Sequence, residues 1–312
     1  MEMKAIRDGF GEALTELGKQ NPRVVVLSGD LEDSTKAAAF TKEFPARFFN
    51  MGISEQDMIG TAAGMGREGF IPFACSFAVF LTNRAYDQIR ITVCYNKANV
   101  KLAGSHAGIS AGSDGATAQC LEDIAIMRAL PNMTVICPAD AVEVKKAVRA
   151  AAAHPGPVYI RTARTASEVV TTEATPFSVG KALTLREGKD LAIIACGIMV
   201  PEALRAAALL ERSGVNAAVI NMSTIKPLDR EAVISAAKKY GAIVTAEEHQ
   251  RAGGLGAAVA EVLSASFPVP VEFVAVNDSF GESGEPEELL AKYGLKDVDI
   301  ARAASAVLRR RK

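Results

Sequence analysis

Short apolar runs separated by amphipathic stretches are the feature that most restricts what this chain can fold into. "RVVVLSGD", "FIPFACSF", "VKLAGSH", "MTVICPAD" and "PVYIR" each read as a strand, and helical patterns fall between them over residues 5–17, 55–66, 81–95, 121–130 and 141–153. Apolar strands that alternate with helices predict a parallel sheet covered on both faces. A second series follows, "LAIIACG", "VNAAVIN", "AIVTAEE" and "PVEFVAV", with helices expected over 201–213, 229–239 and 255–266. Between the two lies "TARTASEVVTTEATPFSVGKALTLREGKD", rich in Thr and Glu and without long apolar periodicity, which reads as a linker. The expected fold class is α/β, two open and mostly parallel sandwich domains over residues 1–168 and 189–312, with the linker at 169–188.

Composition narrows the partners. With 312 residues, 49% hydrophobic and 23% charged, the chain has apolar material for two cores of ordinary size. Lys plus Arg total 35 against 36 Asp plus Glu, a net charge of -1, which leaves no basic footprint for nucleic acid or an anionic membrane. A small molecule or another protein is the expected partner. Cys75, Cys94, Cys120, Cys137 and Cys196 are odd in number and scattered without C-x-x-C spacing, so they read as buried, reduced thiols. The start, "MEMKAIRDGFGEAL", carries charge throughout and lacks the apolar core of a signal peptide or anchor, so a cytoplasmic location is expected.

In open parallel sheets, ligands bind beyond the carboxyl ends of the strands. Here those positions are polar: Asp30 and Ser34 after the first strand, Glu55 after "FFNMGIS", Phe77 and Phe80 after "FIPFACS", and Arg161 and Arg164 at the end of "PVYIRTAR". "GSHAGISAGSDGATAQ" holds His106, Asp114 and four glycines in sixteen residues, the composition of a backbone that approaches a ligand closely. Each residue alone has an ordinary explanation. Ser54 is a plausible N-cap with Asp57 three residues on, so Glu55 could simply stabilise the orphan amides and dipole of its helix. A lone His is usually satisfied within its loop, Phe77 and Phe80 at i, i+3 suit a core, and Arg161 and Arg164 suit surface ion pairs. What sets them apart is that all fall on loops at one end of one expected sheet.

"GISEQDMIGTAAGM", "IPFACSFAVFLTNRAYDQIR", "GSHAGISAGSDGATAQ" and "GPVYIRTAR", in that order, resemble the pyrimidine-binding domain of transketolase. "STIKPLD" and "EEHQRAGGLG" resemble the C-terminal domain of the same family, so the resemblance spans the chain. It implies the C-terminal subunit of a split, two-subunit transketolase, which moves a two-carbon ketol unit between sugar phosphates with thiamine diphosphate. In the family, the glutamate at the position of Glu55 meets N1' of the cofactor's aminopyrimidine and favours the imino tautomer that takes the proton from thiazolium C2. Phe77 and Phe80 would supply the apolar wall, Phe80 stacking on the ring, and Asp30 lies in a motif near the cofactor. Arg7, Ser34, His106 and Arg164 fall on positions that hold the sugar phosphate, a suitable donor set for a dianion. His106 also counts with Glu55 as catalytic, and Asp114 matches the acid that reads an acceptor hydroxyl.

Two departures accompany the resemblance. Where the family has "DGPTHQ" or "DGATHQ", this chain has "DGATAQ", so Ala118 replaces an imidazole of the sugar channel and the sugar is left open. No Gly-Asp-Gly occurs, "SGDLED" and "GSDGAT" being the nearest strings, and no metal ligand is expected in this chain. Mg²⁺ (or Ca²⁺) and the diphosphate would be held mainly by an N-terminal partner carrying Gly-Asp-Gly and Asn, in a heterotetramer. Alternatives are the β subunit of a 2-oxoacid dehydrogenase, a deoxyxylulose-phosphate synthase-like enzyme, and a non-catalytic scaffold subunit.

Overall fold

A computed structural model describes residues 2–311. After a short strand β1 (Met3–Ala5) and the helix Ile6–Gln20 come the strands of the first sheet: β2 (Val24–Ser28), β3 (Phe48–Asn50), β4 (Ile71–Phe77), β5 (Lys101–Ser105), β6 (Thr134–Ile136) and β7 (Val158–Arg161). All six run parallel, in the order β6-β7-β5-β4-β2-β3. β2 is buried at every position, as its unbroken apolar run requires of a strand covered on both faces. Helices Ile6–Gln20 and Glu143–Ala153 close one face, with Phe10 of the first meeting Phe73 of β4 at 6.5 Å between ring centroids.

The second sheet contains β9 (Leu183–Arg186), β10 (Leu191–Ala195), β11 (Ala217–Asn221), β13 (Ile243–Gln250) and β14 (Val271–Val276), in the order β14-β13-β10-β11-β9. Only β9 is antiparallel. Helices Met199–Arg212, Arg230–Tyr240 and Leu255–Ser264 match the expected pattern, and Pro286–Lys292 and Asp297–Arg310 complete the domain. The α/β class with two mostly parallel sheets is therefore as expected.

Three departures from the sequence expectation matter. The stretch expected to be a linker is partly structured: β9 forms an edge of the second sheet, while β8 (Ala166–Glu168), just before the linker, pairs antiparallel with β1. β12 (Thr224–Lys226), from "STIK", leaves the second domain and adds an antiparallel edge to β6 of the first sheet, so the chain stitches its two domains together. The helix expected over 81–95 is irregular: wide turns over Phe80–Arg84 and Ile89–Tyr95 flank one short α-helical segment, Tyr86–Gln88. Wide π-type turns of this kind displace side chains from ordinary helical spacing and are frequent beside functional sites.

Candidate active site

From β2 the chain moves outward to β3 and then returns to β4 on the other side of β2, so the strand order reverses between β2 and β4. Such a switch point opens a crevice at the carboxyl ends of the strands. Glu55 lies there. Its residue is 1% exposed, its Oε1 accepts from Ser76 Oγ at 3.0 Å, and its Oε2 accepts from Arg84 at 2.7 Å. A side chain on Gly29, just past β2, would press on Glu55 Oε1 and Ser76, which is why this corner suits glycine. The capping reading fails here: Ser54 makes no side-chain cap, and the Glu55 carboxylate points into the protein instead of toward its own helix amides.

An aromatic wall runs from Glu55 to the histidine. Arg84 lies 4.7 Å over the Phe80 ring, Phe80 stacks on Phe77 at 5.6 Å, and Phe77 stacks on His106 at 3.8 Å. His106 follows β5 with φ +58°, a left-handed conformation uncommon outside glycine and found at sites where the surroundings over-determine it. Its Nε2 lies 3.4 Å from Arg7 and its Nδ1 lies 3.0 Å from Ser105 Oγ. Since a guanidinium only donates, Nε2 accepts and the proton sits on Nδ1, directed at Ser105. Burial, then the charges of Arg7 and Arg164, push the imidazole down to about 3, so His106 is neutral at any ordinary pH.

Arg7 and Arg164, whose charges act on the histidine, carry Ser34 and Asp114 with them, and Asp30, Ala118 and Arg161 lie elsewhere around the cluster. Arg7 donates to the Ser34 backbone carbonyl at 3.0 Å, which brings Ser34 to the cluster through its main chain. Arg164 bonds Asp114 at 3.1 Å and the Ala111 carbonyl at 2.6 Å. Asp30, also left-handed at φ +63°, is exposed and accepts from Asn50 at 2.9 Å, close to the Glu55 end. Ala118 is nearly buried, at 7% exposure. Arg161 does not fit the surface ion pair expected of it: it is buried, bonded to Asp123 at 2.8 Å and to the Glu248 carbonyl at 2.9 Å. Its partners lie 38 and 87 positions away in sequence, beyond the reach of any local pattern.

Residues 2–168 match the family "Transketolase, pyrimidine binding domain", and residues 180–300 match "Transketolase, C-terminal domain". The chain belongs to the transketolase family. The 6-deoxy-6-sulfo-D-fructose transketolase subunit SqwH of Clostridium sp. (strain MSTE9) is 43% identical over 311 residues, 100% of this chain and 97% of its own. An apulose-4-phosphate transketolase subunit of Phocaeicola vulgatus is 40% identical, covering 97% of both chains. Among solved structures, a split gene transketolase described as an inactive beta4 tetramer is 50% identical, covers 99% of each chain and superposes with a TM-score of 0.93.

In this transketolase chain, the residue that sequence reasoning missed is Arg84. It lay inside an expected amphipathic helix, and the wide turn over Phe80–Arg84 aims it back at Glu55 and Phe80. The family implies thiamine diphosphate. A buried carboxylate beside stacked aromatics and a close glycine suits a planar ring with a protonatable nitrogen, so one half of the cofactor fits this chain. Among the described residues, no group of three His, Cys, Asp or Glu side chains is placed to hold a metal ion.

Proposed function

We propose that this chain is the C-terminal subunit of a thiamine diphosphate-dependent transketolase that moves a two-carbon ketol unit between sugar phosphates. The observation that carries the reading is the buried Glu55 carboxylate at the strand-order reversal, next to the Phe77–Phe80 stack. When bound, the cofactor supplies the carbon centre that carries the ketol unit. Glu55 holds a proton at N1' of the aminopyrimidine, and Ser76 and Arg84 fix the direction of its carboxylate. Phe80 and Phe77 form the flat apolar wall, and the Asp30 loop borders the same corner.

Arg7 and Arg164 receive the phosphate, with Ser34 and His106 beside them, and Asp114 reads the acceptor hydroxyl. His106 works as a neutral imidazole, held by Ser105 and Arg7, that orients the sugar. This cationic pair favours ketol transfer among sugar phosphates over the 2-oxoacid dehydrogenase reading, and the relatives named as transketolase subunits support the same choice. Their differing sugars, together with Ala118, support a sugar preference set in part at this position.

A partner carries the other half of the site: Mg²⁺ and the diphosphate are held by an N-terminal subunit with a Gly-Asp-Gly motif, in a heteromer that contains more than one copy of each chain. The related tetramer of β chains described as inactive agrees with a chain that self-associates yet needs its partner. No described helix is long and apolar enough to cross a membrane, and all five cysteines are free and buried, which suits the proposed reducing cytoplasm. Mixing this chain with the partner subunit, cofactor, Mg²⁺ and xylulose 5-phosphate should restore turnover that neither chain gives alone. Full-rate turnover by this chain without a second protein would overturn the reading.

A further inference from the structure

The loop that carries His106 and Asp114 rests on the second domain. Glu248 of β13, 2% exposed, reaches under it, and its Oε1 accepts from the Ser110 amide at 2.5 Å. Gly108 has φ +90°, and a side chain there would run straight into the Glu248 carboxyl. One residue further along, Arg164 donates to the Ala111 carbonyl at 2.6 Å. Neighbouring residues of one loop are thus gripped from opposite directions, by Glu248 from the second domain and by a proposed phosphate ligand from the first. Gln119 adds a second tie, donating to the carbonyls of Ile109 at 3.2 Å, Gly112 at 3.1 Å and Glu282 at 2.8 Å.

A plain adhesive role explains this poorly. Two packed domains are held as well by a buried apolar side chain of the same volume, and a buried carboxyl costs more than it returns unless its geometry is needed. Glu248 Oε2 makes no hydrogen bond and faces Arg161 at 4.0 Å, while Arg161 itself is committed to Asp123, the Glu248 carbonyl and the Cys120 carbonyl. The one good bond of this carboxyl goes to the loop.

We propose that Glu248 is a positioning residue for sugar-phosphate binding: from the second domain it sets the seat of the 106–114 loop, and with it His106, Asp114 and the carbonyl that Arg164 grips. This rests on reading that loop as the sugar-phosphate seat. The test uses the assembled two-subunit enzyme with Glu248→Gln, Glu248→Leu and, as control, His106→Ala. Glu248→Leu should raise KM for ribose 5-phosphate by about tenfold or more, as small misplacements of binding groups do, with kcat and cofactor affinity little changed. Glu248→Gln keeps the acceptor and should stay within about threefold of the parent.

Amide hydrogen exchange supplies a readout independent of turnover. In the unaltered chain the Ser110 amide should be among the slowest of the loop, and in Glu248→Leu it should exchange at least about tenfold faster, matching the loss of a buried hydrogen bond. An unchanged KM in a folded Glu248→Leu enzyme, a Gln variant as impaired as Leu, or a Ser110 amide that exchanges as fast as the exposed Ser113 amide in the unaltered chain would each overturn the proposal. If His106→Ala leaves KM untouched, the sugar-seat reading itself fails, whatever Glu248 does.

Discussion

Glu247, inside strand β13 of the second domain, accepts from the amides of Leu255 at 2.7 Å and Gly256 at 2.8 Å, the first two residues of the following helix. Glu55, which follows β3 in the first domain, is itself the first residue of its helix and bonds Ser76 and Arg84 instead of helix amides. One glutamate closes a helix end from within. The other turns away from its helix toward a crevice. The two sheets share a parallel architecture, but the Glu247 carboxyl of the second is taken up by helix amides, whereas Glu55 of the first faces the proposed site. A carboxylate at a helix start is therefore diagnosed by where its bonds go, not by its position.

The largest expected effect concerns Glu248, the neighbour of Glu247 that reaches across to the first domain's loop. Burial pushes Glu248 up to about 7 from an ordinary 4.5. The folded protein then holds a proton that the unfolded chain has released, so stability is greatest below about pH 4.5 and falls as pH rises through 7, by on the order of 3 kcal/mol from this group. Urea unfolding at pH 5 and pH 8 should show that loss, and Glu248→Gln should remove most of it. An equal pH slope in the variant would assign the effect to another group.

Next in size, Arg164→Ala should raise KM for phosphorylated donors by an amount equivalent to about 1.5–3 kcal/mol, the usual worth of a charge-assisted contact, and scarcely alter hydroxypyruvate. If both donors suffer equally, Arg164 braces the loop through Ala111 and does not bind phosphate. Glu247→Ala should cost about 0.5–2 kcal/mol of stability, as lost helix caps do, and leave kcat per folded enzyme unchanged. A thermal melt paired with active-site titration separates the two, and a fall in kcat without a fall in melting temperature would erase the contrast with Glu55. The smallest expected effect is at Ala118, whose nearly buried methyl offers no hydrogen bond. Ala118→His should shift the kcat/KM ratio between ribose 5-phosphate and a branched sugar phosphate by about fivefold. Identical ratios would show that this position does not choose the sugar.

Much of this is legible in the sequence alone. Runs such as "VVVLS" and "IPFACSF" are apolar at consecutive positions, so they name buried strands without ambiguity, and the polar residues after them identify the crevice. What stays hidden depends on distant contacts. Nothing local in "STIK" says that β12 crosses to the first sheet, and weak apolar periodicity conceals β9 at the edge of the second. Arg84 cannot be aimed while its segment reads as a regular helix. Arg161 reads as a surface cation because Asp123 lies 38 residues away, and the seat that Glu248 provides joins residues 138 positions apart.

The central claim is that Glu55 does chemistry and Glu247 does not. Hydrogen–deuterium exchange at thiazolium C2 tests it in the assembled enzyme, because that exchange reports proton removal from the cofactor without any sugar. Glu55→Gln should slow it by about a hundredfold or more, the scale of a lost proton-transfer group, while the complex melts near the parent temperature. Exchange at a near-parental rate in Glu55→Gln would contradict the account and return Glu55 to an ordinary helix-start carboxylate.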